Sequence, residues 1–205
     1  MATLSIFPVP MRCIPLILCG AAALTACTKV VPENAISHGE LMQNPLFAER
    51  FSEELIDAMV QIQLWEDPIL QDEQKAALIE EARIGWFEIT KEARAAKREG
   101  MLGTWQPIAT DVRGMMLLTA QGNLYFDSQF TVTPGLELAL YLTAAVDPRD
   151  TEFPDETAIN LGKLQTPYGA QSYMLPEEAQ DASLYRTAVL WDEALQRMHG
   201  IAQFN

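Results

Sequence analysis

Residues 136–142 read Leu-Glu-Leu-Ala-Leu-Tyr-Leu. Every second side chain is leucine, and a period of two is the spacing at which an extended chain returns to the same face. The stretch therefore predicts a half-buried β-strand, with Leu136, Leu138, Leu140 and Leu142 inward. Pro134-Gly135 immediately before it supplies a turn. Short apolar runs recur at 115–119, 124–130, 158–161, 172–175 and 188–191, separated by Gly, Pro, Asp and Asn, with Gln121-Gly122-Asn123 as a further turn. Several short strands at this spacing predict an all-β sandwich or barrel-like domain over residues 100–205.

Upstream of Gly100 the texture is helical. Asn44-Pro45 is an N-cap followed by proline at the first helical position. Phe47, Phe51, Leu55, Met59 and Ile62 follow at spacings of three and four, and Trp65 closes the pattern. Asp67-Pro68 repeats the start signal, and Ile79, Ala82, Trp86, Ile89, Ala93 and Ala96 form a second stripe that ends at Gly100. Two such helices with so short a link predict an α-helical hairpin over 45–99, with the stripes as packing faces. The fold class is thus α+β, an N-terminal helical hairpin followed by a β domain.

The net charge of −14 disfavours nucleic-acid binding. The one basic cluster, Lys91, Arg94, Lys97 and Arg98, falls at the end of the second helix, where cations complement the helix dipole.

The N-terminus reads as secretory. Arg12 is followed by the short apolar stretch from Ile14 to Leu18 and by the small residues Gly20 to Ala23, too brief to span a membrane, which needs about 20 apolar residues. Residues 1–26 are expected to be a cleaved signal peptide, and Met11 heads a more typical one than Met1 does. Leu24-Thr25-Ala26-Cys27 resembles the lipobox of bacterial lipoproteins. That resemblance implies a diacylglyceryl thioether on Cys27, acyl chains such as palmitate, and a mature chain anchored on the periplasmic face of a membrane; Thr28, where an Asp is absent, implies the outer membrane. Two acyl chains suffice for stable anchoring. Residues 27–44, with Pro32, Gly39 and few apolar side chains, suit a flexible tether, and His38 within it is expected in solvent. Cys13, Cys19 and Cys27 are the only cysteines, so the mature β domain has no thiol and no disulfide.

Further residues carry a second resemblance. Gly103-Thr104-Trp105, Val112-Arg113-Gly114, Leu124-Tyr125-Phe126 with Phe130, and Pro134-Gly135-Leu136-Glu137-Leu138 before Tyr141-Leu142 come first. Leu161-Gly162-Lys163-Leu164, the run from Gly169 to Pro176, and Val189-Leu190-Trp191-Asp192 through His199-Gly200-Ile201-Ala202 complete the series. In this order they resemble the electron-transfer DM-thirteen domain, a small β-rich extracellular module. The family's suggested redox role leans on a cysteine after the tryptophan of the closing strand, and here that position is Asp192. A carboxylate cannot cycle between thiol and oxidised states.

No other constellation points firmly to chemistry. A haem-attachment Cys-x-x-Cys-His motif is absent, and His38 and His199 are not at metal-ligand spacing. Asp147, Asp150, Glu152, Asp155 and Glu156 could offer oxygen ligands to Ca²⁺ but lack the spacing of a calcium loop. Ser172 and Ser183 show no histidine–acid partnership. Asp192 reads as a surface acid, or, if buried, as one with a raised pKa. The leading expectation is a lipid-anchored, non-enzymatic module with no catalytic residues, cofactor or metal, which binds the membrane through its lipid and an envelope protein or ligand through its β domain. The rivals are an accessory electron-transfer protein and an enzyme that uses Asp192 as general acid or base.

Overall fold

The computed structural model describes residues 36–205 except 151 and 180, so the signal peptide, Cys27 and most of the expected tether lie outside the described residues. The last part of that tether forms a single helical turn, α1 (His38–Leu41). Ser37 Oγ accepts from the Glu40 N–H while Glu40 accepts from the Ser37 N–H, a reciprocal cap that fixes the turn. His38, although exposed, lays its ring against Phe51 with centroids 5.0 Å apart.

Helix α2 (Pro45–Leu64) starts where Asn44-Pro45 marks it. Asn44 is buried and does two things: Oδ1 accepts from the Leu46 N–H at 3.0 Å, and Nδ2 donates to the Phe126 carbonyl at 2.7 Å. One side chain thus caps the helix and fastens its first turn to the β domain. The second helix starts later than Asp67-Pro68 suggests. Those residues open a short 3₁₀ turn, Pro68–Gln71, and Asp72 caps α3 (Glu73–Glu99) with Oδ1 at 3.1 Å from the Gln74 nitrogen. Two Asp caps lie five positions apart, and the chain uses the first to reverse direction and the second to restart.

The helices pack antiparallel along Ala76, Ile79, Arg83, Trp86, Thr90, Ala93 and Lys97 of α3, spaced alternately three and four. Thr90 Oγ1 donates to Ser52 Oγ at 2.7 Å in the buried seam, and Phe51 and Trp86 meet edge to face. Beside the seam Arg94 pairs with Glu53 at 2.5 Å, and Lys97 with Glu49. Two of the four residues of the basic cluster, Arg94 and Lys97, thus hold the hairpin together, while Lys91 pairs with Glu88 of its own helix.

The β domain comprises β1 (Met101–Pro107), β2 (Val112–Arg113), β3 (Met115–Leu118), β4 (Asn123–Phe126), β5 (Thr131–Val132), β6 (Leu138–Thr143), β7 (Ile159–Lys163), β8 (Ser172–Met174), β9 (Thr187–Asp192) and β10 (Arg197–Phe204). Eight strands form one antiparallel sheet in the order β7-β6-β9-β10-β1-β3-β4-β8, and β2 pairs with β5 separately. The sheet curls into a nearly closed barrel. The segment after β7 bridges its two edges: the Leu164 N–H donates to the Leu138 carbonyl at 2.8 Å, and Gln165 Nε2 donates to the Ser172 carbonyl at 2.7 Å.

Inside the barrel sit Trp105, Met116, Leu124, Phe126, Phe130, Leu138, Leu140, Leu142, Leu190 and Phe204. A second, smaller cluster covers the outer face of β6, β9 and β10: Ala139, Tyr141, Phe153, Val189, Trp191, Met198 and Ile201. Residues 138–143 are consequently buried on both faces, not half-buried as the alternation predicts, because Phe153 folds back across the sheet against Tyr141 and Trp191. Leu136, expected inward, precedes the strand and is exposed. Among the described residues no helix is long and apolar enough to cross a membrane.

Candidate functional site

Strand β9 alternates Ala188 and Leu190 into the barrel with Val189 and Trp191 outward, so the next residue, Asp192, points into the barrel's end. It is 0% exposed. The surface position expected for Asp192 is therefore wrong, and the cause is a loop from far along the chain. Residues 135–137 fold over the carboxylate, and the Leu136 N–H donates to Oδ2 at 2.8 Å. Gly135 lies so close that a Cβ there would come within 2.6 Å of the same oxygen. On its other side the carboxylate caps the turn between β9 and β10, with Oδ1 accepting from the N–H groups of Ala194 at 3.1 Å and Leu195 at 3.0 Å.

Burial pushes the Asp192 carboxyl up, but the Leu195, Leu136 and Glu137 N–H donors and the nearby His199 ring outweigh it and leave the group below the usual carboxylate range. A raised value, the other possibility for a buried acid, does not occur.

His199 reaches this end through an irregularity in the β9–β10 register between Met198 and Gly200. A bulge re-aims the extra side chain, and here it turns His199 inward to 1% exposure. Gly200 allows the close approach, since a Cβ there would meet Val112 Cγ1 at 2.5 Å. His199 Nδ1 lies 2.9 Å from Thr110 Oγ1, and Nε2 lies 3.6 Å from Asp192 Oδ2 and has no hydrogen-bond partner among the described residues. The tautomer that suits both neighbours carries its proton on Nε2, facing the carboxylate, and accepts from the threonine hydroxyl at Nδ1. Burial, then the charge of Arg197, pushes the imidazole pKa below its ordinary value, against the opposing pull of Asp192. The result is a neutral ring beside a charged carboxylate.

Above the Asp192 loop lies a cleft of about 240 Å³ lined by Pro134, Gly135, Leu136, Glu137, Lys163 and Pro167 among others. The exposed pair Lys163–Glu137, 3.2 Å apart, rims it. Beside it Glu193 accepts from Tyr141 Oη at 2.8 Å and from Asn160 Nδ2 at 3.0 Å, and burial together with this bond pushes the phenol up to about 12. Asp192 does not line the cleft; it holds the loop that does.

The remaining candidates do not assemble. Asp155 accepts from Thr143 and Thr157, and Asp147 pairs with Arg149, which with its backbone N–H holds that carboxyl down at about 2. Among the described residues no group of three or more His, Cys, Asp or Glu side chains comes together to hold a metal ion. Ser183 donates to Asp181, and Ser172 accepts from Gln165 through its carbonyl; the hydroxyl beside the buried histidine is that of Thr110. Sequence reading missed the Thr110–His199–Asp192 cluster, and the one signal for it was Gly200, which departs from the apolar run of the closing strand.

No curated protein and no solved structure matches the chain. A family model does match: residues 107–204, which contain this cluster and the cleft beside it, match the family described as Electron transfer DM13.

Proposed function

We propose that the DM13-like domain is a non-enzymatic binding module, displayed on the periplasmic face of a membrane by lipid on Cys27, and that the cleft beside residues 134–137 receives an envelope protein or ligand. The observation that carries this reading is the use made of Asp192. At the position where the family resemblance places a redox thiol, this chain has a fully buried carboxylate whose oxygens are occupied by backbone N–H groups. Such a group shapes a surface loop and offers nothing to an electron acceptor. A photoreactive amino acid at Leu136, in the native membrane, should capture one specific neighbour, whereas the same probe at exposed Glu178 should not. Equal labelling from both positions would sink the reading.

The matched family's description favours a second reading, an accessory electron-transfer protein of the envelope. It requires a flavin or haem band in the absorption spectrum of protein purified from its native membrane. A spectrum of aromatic absorption alone would count against it.

A further inference from the structure

Next to the cleft, and sharing Pro134 with it, lies an open depression of about 300 Å³. Strand register sets its floor. Arg113 on β2 stands opposite Thr131 on β5, and Thr131 in turn stands opposite Tyr168 in the segment after β7. Paired residues of antiparallel strands share a face, so these three side chains cross the ribbon in one row. Asp111 and Thr133 stand on the same exposed face two residues along, while Val112 and Val132 between the rows are buried. The main chain beneath is already engaged. On one edge of β5 the Thr133 N–H donates to the Asp111 carbonyl at 3.0 Å, and on the other the Val132 N–H donates to the Pro167 carbonyl at 3.0 Å. A peptide strand has no edge of β5 to join, and an occupant of the depression meets side chains.

Those side chains make no hydrogen bond or ion pair with other described residues at the Asp111 carboxylate, the Arg113 guanidinium, the Thr131 hydroxyl or the Tyr168 phenol. Tyr168 is 60% exposed, yet its loop is held firmly. The buried Gln171 donates from Nε2 to the Thr166 carbonyl at 2.9 Å and accepts at Oε1 from the Tyr173 hydroxyl at 2.9 Å. Thr166 Oγ1 accepts from the Tyr168 N–H and donates to the Tyr168 carbonyl. Gly169, at a φ of +82° that favours glycine, donates to the Phe130 carbonyl at 2.8 Å. A buried amide thus organises a surface loop that displays an aromatic ring, and a ring held in place beforehand lowers the ordering cost of binding.

We propose that this depression binds carbohydrate, with the Tyr168 ring carrying the apolar face of a pyranose and Asp111, Arg113 and Thr131 holding its hydroxyls. A pyranose has a C–H face and a rim of hydroxyls that each donate and accept. The electron-rich face of tyrosine suits the first. A carboxylate that only accepts, a guanidinium that only donates and a hydroxyl that does both suit the second, and the bonds to the two charged groups are the stronger ones. A lipid tail or an apolar side chain would instead desolvate Asp111 and Arg113 without giving them partners. The volume lies at the lower end of the range for small-ligand sites, which fits one or two units of a chain that runs on into solvent. Nothing in this site depends on what the neighbouring cleft receives.

Titration of the full mature chain with cellotetraose, chitotetraose and mannotetraose, followed by amide NMR shifts, tests this. At least one is expected to bind with a Kd below about 5 mM, moving the amides of Arg113, Thr131, Tyr168 and Gly169 and leaving that of Leu136 in place. Tyr168→Ala should weaken binding about tenfold with an unchanged Tm, while Tyr168→Phe, which keeps the ring, should stay within about twofold. Arg113→Gln combined with Asp111→Asn should weaken it about tenfold. The proposal is overturned if none of the three sugars binds below about 10 mM, if the shifts fall elsewhere, or if binding survives Tyr168→Ala or the double variant.

Discussion

The barrel buries a charge, while the hairpin leaves leucine and phenylalanine in solvent. At the barrel's end Asp192 and His199 are enclosed with the inward side chains of the strands, and β6 is covered on both faces; only in the loops, at Leu136 and Leu195, do large apolar side chains there reach solvent. In the hairpin, burial is confined to a narrow seam that includes Ser52, Met59, Thr90 and Ala93, and large side chains outside it stay exposed. The difference follows from topology. A sheet that curls nearly closed surrounds whatever its strands point inward, polar or not, and the fold must then supply partners for it. A pair of helices has one shared surface and no means of enclosing anything else. A substitution in the barrel is therefore expected to act on stability more strongly than one on the hairpin's exposed flanks.

The largest effect is expected at Asp192. Asp192→Ala removes the acceptor of at least three backbone N–H groups from two separate loops at a part-buried site, a loss of about 3 kcal/mol. Asp192→Asn keeps one acceptor oxygen and should recover part of it. Urea unfolding followed by tryptophan fluorescence measures both. A loss under 1 kcal/mol for the alanine variant would mean that the carboxylate does not organise this end of the barrel.

Gly135→Ala comes next. Its Cβ would sit 2.6 Å from Asp192 Oδ2 and 2.8 Å from Leu138, so the loop must move. Overpacking of this kind costs about 1–3 kcal/mol. Because Gly135 also lines the cleft, crosslinking from Leu136 should fall in the same variant. Full stability with altered crosslinking, or the reverse, would separate the loop from the carboxylate beneath it.

The barrel's buried pair also predicts a pH dependence that the hairpin's exposed ion pairs do not share. The His199 pKa is lowered from 6.5 in the folded chain, so the unfolded chain binds a proton that the folded one declines. Stability therefore rises with pH between the folded and unfolded values and is lost as pH falls below about 6.5. The Asp192 carboxyl is likewise lowered, so its contribution is complete above 3.8 and disappears as pH falls through its folded value. Urea midpoints from pH 7.5 to 4.5 should decline for wild type, and His199→Gln should flatten most of that slope. An unchanged slope in the variant would place the titration elsewhere, with Asp127 excluded by sign, since burial raises its pKa above the usual range.

Legibility in the sequence divides along the same line. Both helices are announced by local chemistry, the first at Asn44-Pro45 and the second at Asp67-Pro68, because a cap is satisfied within three residues of itself; the second start falls a turn early, since Asp72 is the cap that α3 uses. Strands β3, β4, β6, β7, β8 and β9 are marked by their apolar runs, and a family model matches the region that contains them. Strand β1 was missed, since Gly103 and Pro107 interrupt its pattern. The candidate site was the least legible part. Asp192 takes a donor from Leu136, 56 positions away, and His199 owes its inward direction to a register shift that no alternation encodes. Residue types showed which groups could do chemistry there, but not that two of them would meet.

The smallest effect sharpens the comparison from the hairpin's side. Ser52 and Thr90 are its counterpart of the barrel's polar pair: buried, hydrogen-bonded across two elements, but neutral and each also tied to its own helix backbone. Ser52→Ala leaves the Thr90 hydroxyl with its bond to the Trp86 carbonyl, so only the interhelical bond is lost. That is worth about 1 kcal/mol. Replacing both, Ser52→Ala with Thr90→Val, removes donor and acceptor together and should cost no more than the single change, because the one bond between the two sites is already gone. A double-mutant cycle by thermal melting would show this as a favourable coupling between the two sites. Strict additivity would mean that the seam is held by shape alone, and that the hydroxyl pair adds nothing to the register in which the hairpin presents its outer flanks.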